Sequence, residues 1–521
     1  MGNGAHLNTG RFILLFGIVN ATLYSALLPL WEGFDEAFHY GYVETLSQTR
    51  TLPVLGHTRQ PAEIDESFRL TPLSHIVQRR IPNTISFDDW FRLSPAEKSQ
   101  RRAALDAIRP HGDGPVLNYE AQQSPLAYAI LALVDWPVSN LPITTRILIL
   151  RLIAANCAIV LVFLGARSLS HALNVAEPYA AAAIFTALCS QMLYATTAHV
   201  ANDWLAVGIS AMFFAALARF VHGPDRSSAM HLAGWLAAGL LAKAYFLAFA
   251  FLAVAIALWL LLSKKIRPTL LIAPAILVAV IAGPWYARNL ALYGNISGTL
   301  EQFHGIGVRQ ALAAAPHINW ISTAGFLARG ALWTGNHSFT TYSRTTLNLV
   351  LALLALGMAA WCTRSKSITT PERDVLTGIV LFSGALGYAC CAAFADAKGE
   401  TLGVGPWYTQ VLLVPVLILV FLGWSRWGRP GSLLAAVTTS LWTWIWITTL
   451  TVKLVPMYSG AGTSPMRIAD VWTWYTHPAA RHANDLSMLA LAPATFLYAG
   501  MLISAILAVY LAVVLIRQML A

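Results

Sequence analysis

A series of long apolar stretches dominates this chain and leaves few folds open to it. The first runs from Phe12 to Leu30; further candidate spans lie at about 147–166, 178–195, 203–222, 229–243, 245–262, 268–287, 345–361, 374–394, 405–424, 431–452 and 491–516. About 20 apolar residues cross the hydrocarbon core as a helix. A spanning chain of this pattern satisfies its backbone groups within helices. The expected fold is all-α: a polytopic integral membrane protein with about 12 transmembrane helices, within a range of 11 to 13. Only 11% of the residues are charged and 57% are hydrophobic, whereas soluble domains carry about a quarter charged residues. The formal net charge of +10 fits basic loops against anionic lipid. No basic run is interleaved with base-stacking aromatics, so nucleic acid is not an expected partner.

The distribution of basic residues sets the topology. The stretch 125–141 is short and interrupted by Asp135, Pro137 and Pro142. If it does not cross and the N-terminus is cytoplasmic, Arg167, Arg226, Lys264, Lys265, Arg267, Arg364, Lys366, Arg373, Arg426, Arg429 and Arg517 all fall inside. Arg146 and Arg151 are the exceptions, on the outer side. Trp-Glu-Gly-Phe-Asp-Glu follows the first stretch where a cleavage site would need small residues, so that stretch reads as an uncleaved helix. The five cysteines lie in or beside apolar runs without metal spacing and read as inert buried thiols.

The expected organisation is a first transmembrane helix at 1–30, a large first extracytoplasmic loop at 31–124 and a transmembrane core at 125–298. An extracytoplasmic loop at 299–344 and the C-terminal helices at 345–521, with an outer loop at 453–490, complete it. The segment from Trp31 to Ser124 holds 13 of the 24 acidic residues. Within it, Ser94-Pro95-Ala96-Glu97 is a helix-start signature, and the Arg-rich and Ala/Leu/Ile faces that follow suggest a helix on the membrane surface.

This topology collects unusual residues on the outer side: Asp35, Glu36 and His39; Glu120, Gln122 and Gln123; Asn202 and Asp203; Lys243 and Tyr245; Arg288 and Asn289; Asn336 and His337; Asp396, Lys398 and Glu400. Charges at membrane depth are costly and mark sites or pathways, and several on one side indicate a polar cavity. Carboxylates there can act as a general base or bind a divalent metal ion. Lys243, Arg288 and Arg151 can hold a phosphate, and Trp31, Trp285, Tyr286 and Tyr293 can stack on a sugar or an isoprenoid. An acid above a phosphate clamp suits transfer from a lipid-linked phosphosugar.

Five segments carry a resemblance. "LLPLWEGFDEAFHYGYVETLSQTRTLPVLG", "NYEAQQSPLAYAILAL", "AHVANDWLAVGIS", "GWLAAGLLAKAYFLAF" and "GPWYARNLALYGNISG" resemble, in order and spacing, segments of the GT-C glycosyltransferases. That group includes the protein O-mannosyltransferases and the aminoarabinose transferases, and the likeness is to a bacterial branch of unassigned substrate. It implies a GT-C-like inverting enzyme with a polyprenyl-phosphate-linked sugar as donor and a lipid, glycan or protein as acceptor. Its place would be the bacterial inner membrane, its site facing the periplasm or exterior. It implies Asp35 as catalytic base, Glu36 as second acid or metal ligand, and Lys243 and Arg288 on the lipid phosphate. His39, Glu120, Gln123, Asp203, Tyr245 and Asn289 complete the candidate substrate contacts. Where the family has His-Pro-Pro this chain has Gln123-Ser124-Pro125, and Gly405-Pro406-Trp407-Tyr408 lacks the arginine of the bacterial Gly-Arg-Tyr.

Each residue also has a plainer alternative. Asp35 and Glu36 can cap a helix at the interface. Lys243 can snorkel to headgroups, Arg288-Asn289 can anchor a helix end, Asp203 can belong to an N-cap, and Glu120 to Gln123 can form an ordinary turn. A transporter or flippase for lipid-linked saccharides, or a noncatalytic GT-C-like assembly partner, would have the same outer cavity.

Overall fold

The computed structural model describes residues 2–78, 81, 83–332, 342–363, 368–397, 404–461, 466 and 468–521. Asn336, His337, Arg364, Lys366, Lys398 and Glu400 lie outside the described residues. The protein is a polytopic helical membrane protein. Among the described residues nine helices are long and apolar enough to cross a membrane, or ten with one bent pair, Glu177–Leu188 and Gln191–Thr197. Arg226–Ala242 and Phe246–Leu262 have 17 residues each, at the lower end of the length that crosses a bilayer. Each of the twelve anticipated stretches falls on helix, with a break at Cys189–Ser190 in 178–195. Leu126–Val138 has only 13 residues, short of the length of a full span.

The bend of 55° between Glu177–Leu188 and Gln191–Thr197 was not anticipated in the stretch 178–195. It opens backbone groups that lipid cannot satisfy, and one of them, the Leu188 carbonyl, is taken up by a side chain. Tyr194 donates its hydroxyl to the Leu188 carbonyl (2.7 Å), and Trp442 Nε1 donates to Ser190 Oγ (3.1 Å) at the break.

Small residues let the helices approach closely, which drives packing where no hydrophobic effect operates between them. Ile143–Ala172 packs along Asp203–His222. A Cβ at Gly165 would stand 2.6 Å from the Ala211 backbone.

The described residues of 31–124 form a cap on one end of this bundle. It contains the Glu36–Thr49 helix, a two-stranded antiparallel sheet of Arg59–Pro61 and Asp113–Leu117, and short helices. Ser94 and Glu97 close a reciprocal capping box on Pro95–Ala107. In this helix Lys98 is buried and bonds Asp485 (2.7 Å), and Arg102 donates to the Ala490 carbonyl (3.2 Å), so it docks on Ala479–Leu489.

The two arginines that break the basic-residue pattern fasten this cap. Arg151 is fully buried. Its Nε donates to Glu36 Oε1 (2.7 Å), a second N–H bonds Glu36 Oε2, and other N–H groups reach the Leu28 (2.6 Å) and Pro29 (2.8 Å) carbonyls. It thereby satisfies carbonyls left open where the Gly2–Leu27 helix ends. Arg146 donates to both Asp135 oxygens (3.0 Å each) and to Glu63 Oε1 (3.0 Å). One helix, Ile143–Ala172, thus holds two separate points of the cap.

Candidate active site

The Trp31–Asp35 turn carries the first acid. Trp31 (φ 63°) and Asp35 (φ 53°) both occupy the left-handed region. Aspartate tolerates it, but a tryptophan there is an outlier that the surroundings must enforce. Such strain concentrates at functional sites. Trp31 Nε1 donates to Ser67 Oγ (2.7 Å), and Phe34 stacks on Trp407 with ring centroids 4.2 Å apart. Gly33 is required by contact: a Cβ there would stand 2.4 Å from the His199 side chain. The turn delivers Asp35 to the wall of a cavity of about 1090 Å³. Tyr119 donates its hydroxyl to Asp35 Oδ1 (2.6 Å).

A second acid, Glu120, lines the same wall. Its Oε2 accepts from Gln123 Nε2 (2.8 Å), and Gln123 Oε1 accepts from Asn202 (3.0 Å). Burial, then repulsion from Asp35, pushes the Glu120 carboxyl up to about 8. At neutral pH it holds its proton beside an acid with which it shares the cavity. His39 bonds the Tyr128 hydroxyl through Nδ1 (2.8 Å) and lies 3.7 Å from Glu120. Burial first, then the Lys243 and His199 charges, lowers its proton affinity, so it is neutral.

Glu36 is placed differently. Its carboxylate is buried, taken up by Arg151, and also accepts from the Val200 amide (2.9 Å). Burial alone would raise this carboxyl, but the guanidinium, helped by that amide, holds it below the usual range. The pair fixes the start of the Glu36–Thr49 helix and so the angle of Asp35.

A side pocket of about 340 Å³ adjoins the main cavity and shares Gln122, Gln123, Glu301, Val404 and Tyr408 with it. Lys243 and Tyr245 line this pocket. Lys243 lies at the end of Arg226–Ala242, and its ammonium bonds Asp203 Oδ1 (2.5 Å) and sits 4.7 Å from the Tyr408 ring centroid. Arg288 and Asn289 line neither cavity. Arg288 donates to the Pro53 carbonyl (2.6 Å) and lies over Trp285, while Asn289 is buried and donates to the Ile296 carbonyl (3.2 Å).

The wall of the main cavity also carries Arg329 and Arg344, which sequence reasoning missed. Arg329 is half-buried and oriented by Asn348 Oδ1 (3.0 Å) and the Gly325 carbonyl (3.1 Å); Arg344 is exposed at the first turn of Arg344–Thr363. The available signal was an arginine at each end of the 330–344 connection. Among the described residues no group of three or more His, Cys, Asp or Glu side chains is placed to share a metal ion. The cavity therefore offers the hydrogen-bonded acid Asp35, the buried acid Glu120 that keeps its proton, the Glu36 carboxylate already taken up by Arg151, a further acid at Glu301, aromatic faces from Phe34, Trp407 and Tyr408, and the guanidiniums of Arg329 and Arg344.

No protein-family model matches this chain, and no curated protein matches it. Among solved structures, it is similar to ArnT from Cupriavidus metallidurans bound to undecaprenyl phosphate. The likeness covers 98% of this chain and 78% of that one, at a TM-score of 0.47 and 11% identity. It is similar also to the apo state of the same protein, over 86% of this chain and 74% of that one, at a TM-score of 0.41 and 12% identity.

Proposed function

We propose that the protein is a GT-C-type glycosyltransferase of the bacterial inner membrane, working at the extracytoplasmic face. It moves a sugar from a polyprenyl-phosphate donor to a hydroxyl of a lipid, glycan or protein acceptor. One observation carries the reading: Asp35, held by Tyr119 on a strained turn, shares a cavity of about 1090 Å³ with Arg329 and Arg344. A base and a phosphate clamp across one cavity are the two requirements of this transfer.

In the proposed step Asp35 takes the acceptor hydroxyl proton. The acceptor oxygen forms a bond to the anomeric carbon as the bond from that carbon to the phosphate oxygen breaks. The electron pair leaves with the polyprenyl phosphate, whose added charge Arg329 and Arg344 stabilise. Asp35 then returns its proton to water. Lys243, already paired with Asp203, acts through the side-pocket wall with Tyr245, while Glu120, Gln123 and His39 set the acid side. Glu36 acts through Arg151 as a positioning residue, and Arg288 and Asn289 hold the segment beneath Pro53.

Profiling polyprenyl-phosphate sugars by mass spectrometry in wild type, a deletion strain and an Asp35→Asn strain at matched protein level tests the reading. One lipid-linked sugar is expected to accumulate equally in both mutants. A change in the deletion strain alone would remove Asp35 as base and favour transport or assembly.

A further inference from the structure

The end of the bundle opposite the cavity carries a second convergence of charge, which the chemistry above does not use. Two helices join the ends. Phe246–Leu262 begins beside Tyr245 of the side pocket, and Thr370–Asp396 ends past Ala389 and Ala392 of the same pocket. At about 1.5 Å per residue, the 17 residues of the first rise about 25 Å, close to the thickness of a bilayer core. Their far ends therefore lie in the other leaflet.

There, two cations meet on one indole. Lys265 Nζ is 4.6 Å from the Trp259 ring centroid, and the Arg373 guanidinium carbon is 5.3 Å from the same ring. Lys265 and Arg373 are exposed, as are Lys264 and Arg267 in the same turn, while buried Ile266 anchors that turn. Among the described residues the carboxylate against them is Asp374, whose Oδ1 is 3.9 Å from Arg373 Nε. Lys265 and Arg373 thus share one indole, with Lys264 and Arg267 exposed in the same turn as Lys265 and Asp374 beside Arg373. Next to them, toward the membrane interior, Leu258 and Leu262 are exposed, as is Val380 on the partner helix.

Two like charges held on one ring repel each other, and an anion between them removes that cost. The indole is of the interfacial kind, and the exposed leucines beside it offer an apolar track. Charge complementarity over a lipid-facing surface selects one occupant. We propose that this patch binds an anionic glycerophospholipid of the leaflet opposite the cavity. Its phosphate sits between Lys265 and Arg373 over Trp259, and its acyl chains run along Leu258 and Leu262.

The test titrates the purified full-length protein in detergent with phosphatidylglycerol or phosphatidylcholine, followed by native mass spectrometry and thermal unfolding. Phosphatidylglycerol is expected to remain bound as a discrete adduct and to raise the unfolding midpoint; phosphatidylcholine should do neither. The double variant Lys265→Gln/Arg373→Gln should bind phosphatidylglycerol about 30-fold more weakly, the factor expected for two interfacial cations. Its midpoint in phosphatidylcholine should match wild type. The single variant Lys265→Gln, at an exposed position, should show a smaller loss and serves if the double variant fails to fold. Undiminished adduct and midpoint shift in these variants would overturn the proposal. So would equal stabilisation by inorganic phosphate, which would mean a soluble anion site, or by phosphatidylcholine, which would mean an apolar surface without headgroup choice.

Discussion

At the residue scale, Asp35 combines its proposed role as base with a demand on the backbone. Its φ of 53° is open to asparagine as well as aspartate. Asp35→Asn is therefore expected to fold with an unchanged unfolding midpoint and to lose turnover. Asp35→Val should lower stability by about 1–2 kcal/mol, because a β-branched residue is strained in that region; thermal unfolding of the two variants separates the effects. Glu120 makes a second case. Its carboxyl is pushed up to about 8, so between the unfolded-chain value near 4.5 and about 8 the folded protein binds the extra proton. Stability must then fall as pH rises through that window. Glu120→Gln is expected to flatten the decline and to be more stable than wild type above pH 8, which unfolding midpoints across pH would show. Asp35 was visible in the sequence because an acid after a first apolar run is rare. Arg329 and Arg344 were not visible, because their significance lies only in the wall they share with it.

At the element scale, the helix Ile143–Ala172 does more than cross the membrane. Its Arg151 is the counter-charge of Glu36 and a cap for the end of Gly2–Leu27. Arg151→Met should destabilise by about 3–5 kcal/mol, since it strands a buried carboxylate; Arg151→Met with Glu36→Leu should recover most of that loss. Denaturant unfolding of the single and double variants checks both. The same helix approaches Asp203–His222 at Gly165, where a Cβ would stand 2.6 Å from the Ala211 backbone. Gly165→Val should therefore force the pair apart and lower the unfolding midpoint. The existence of these helices was legible, because a run of apolar residues carries its own reason to be helical. The Ser94 capping box was legible too, being local. The Arg151–Glu36 pair spans 115 positions, and no local pattern encodes a partner so distant; the sequence showed only that Arg146 and Arg151 were misplaced by the charge rule. The break at Cys189–Ser190 was hidden because no proline or glycine within 179–195 marks it.

At the scale of the whole molecule, cavity and basic patch lie at opposite ends of the same helices, so the two faces of the membrane are chemically distinct. In a background freed of native cysteines, Asp113→Cys should react with an impermeant maleimide from outside, and Asp225→Cys only after permeabilisation. Labelling of both from one side would overturn the orientation. The closure of the cap also imposes an order in time. Glu36 is made 115 residues before Arg151, roughly 6 to 23 s earlier at ordinary synthesis rates. Throughout that interval the acidic segment has been translated without the cation that permits its burial, so it waits hydrated while the intervening chain is made. The cavity is thus finished backward, by a later span reaching an earlier loop, and a chain halted before Arg151 would leave its proposed base on an undocked tether.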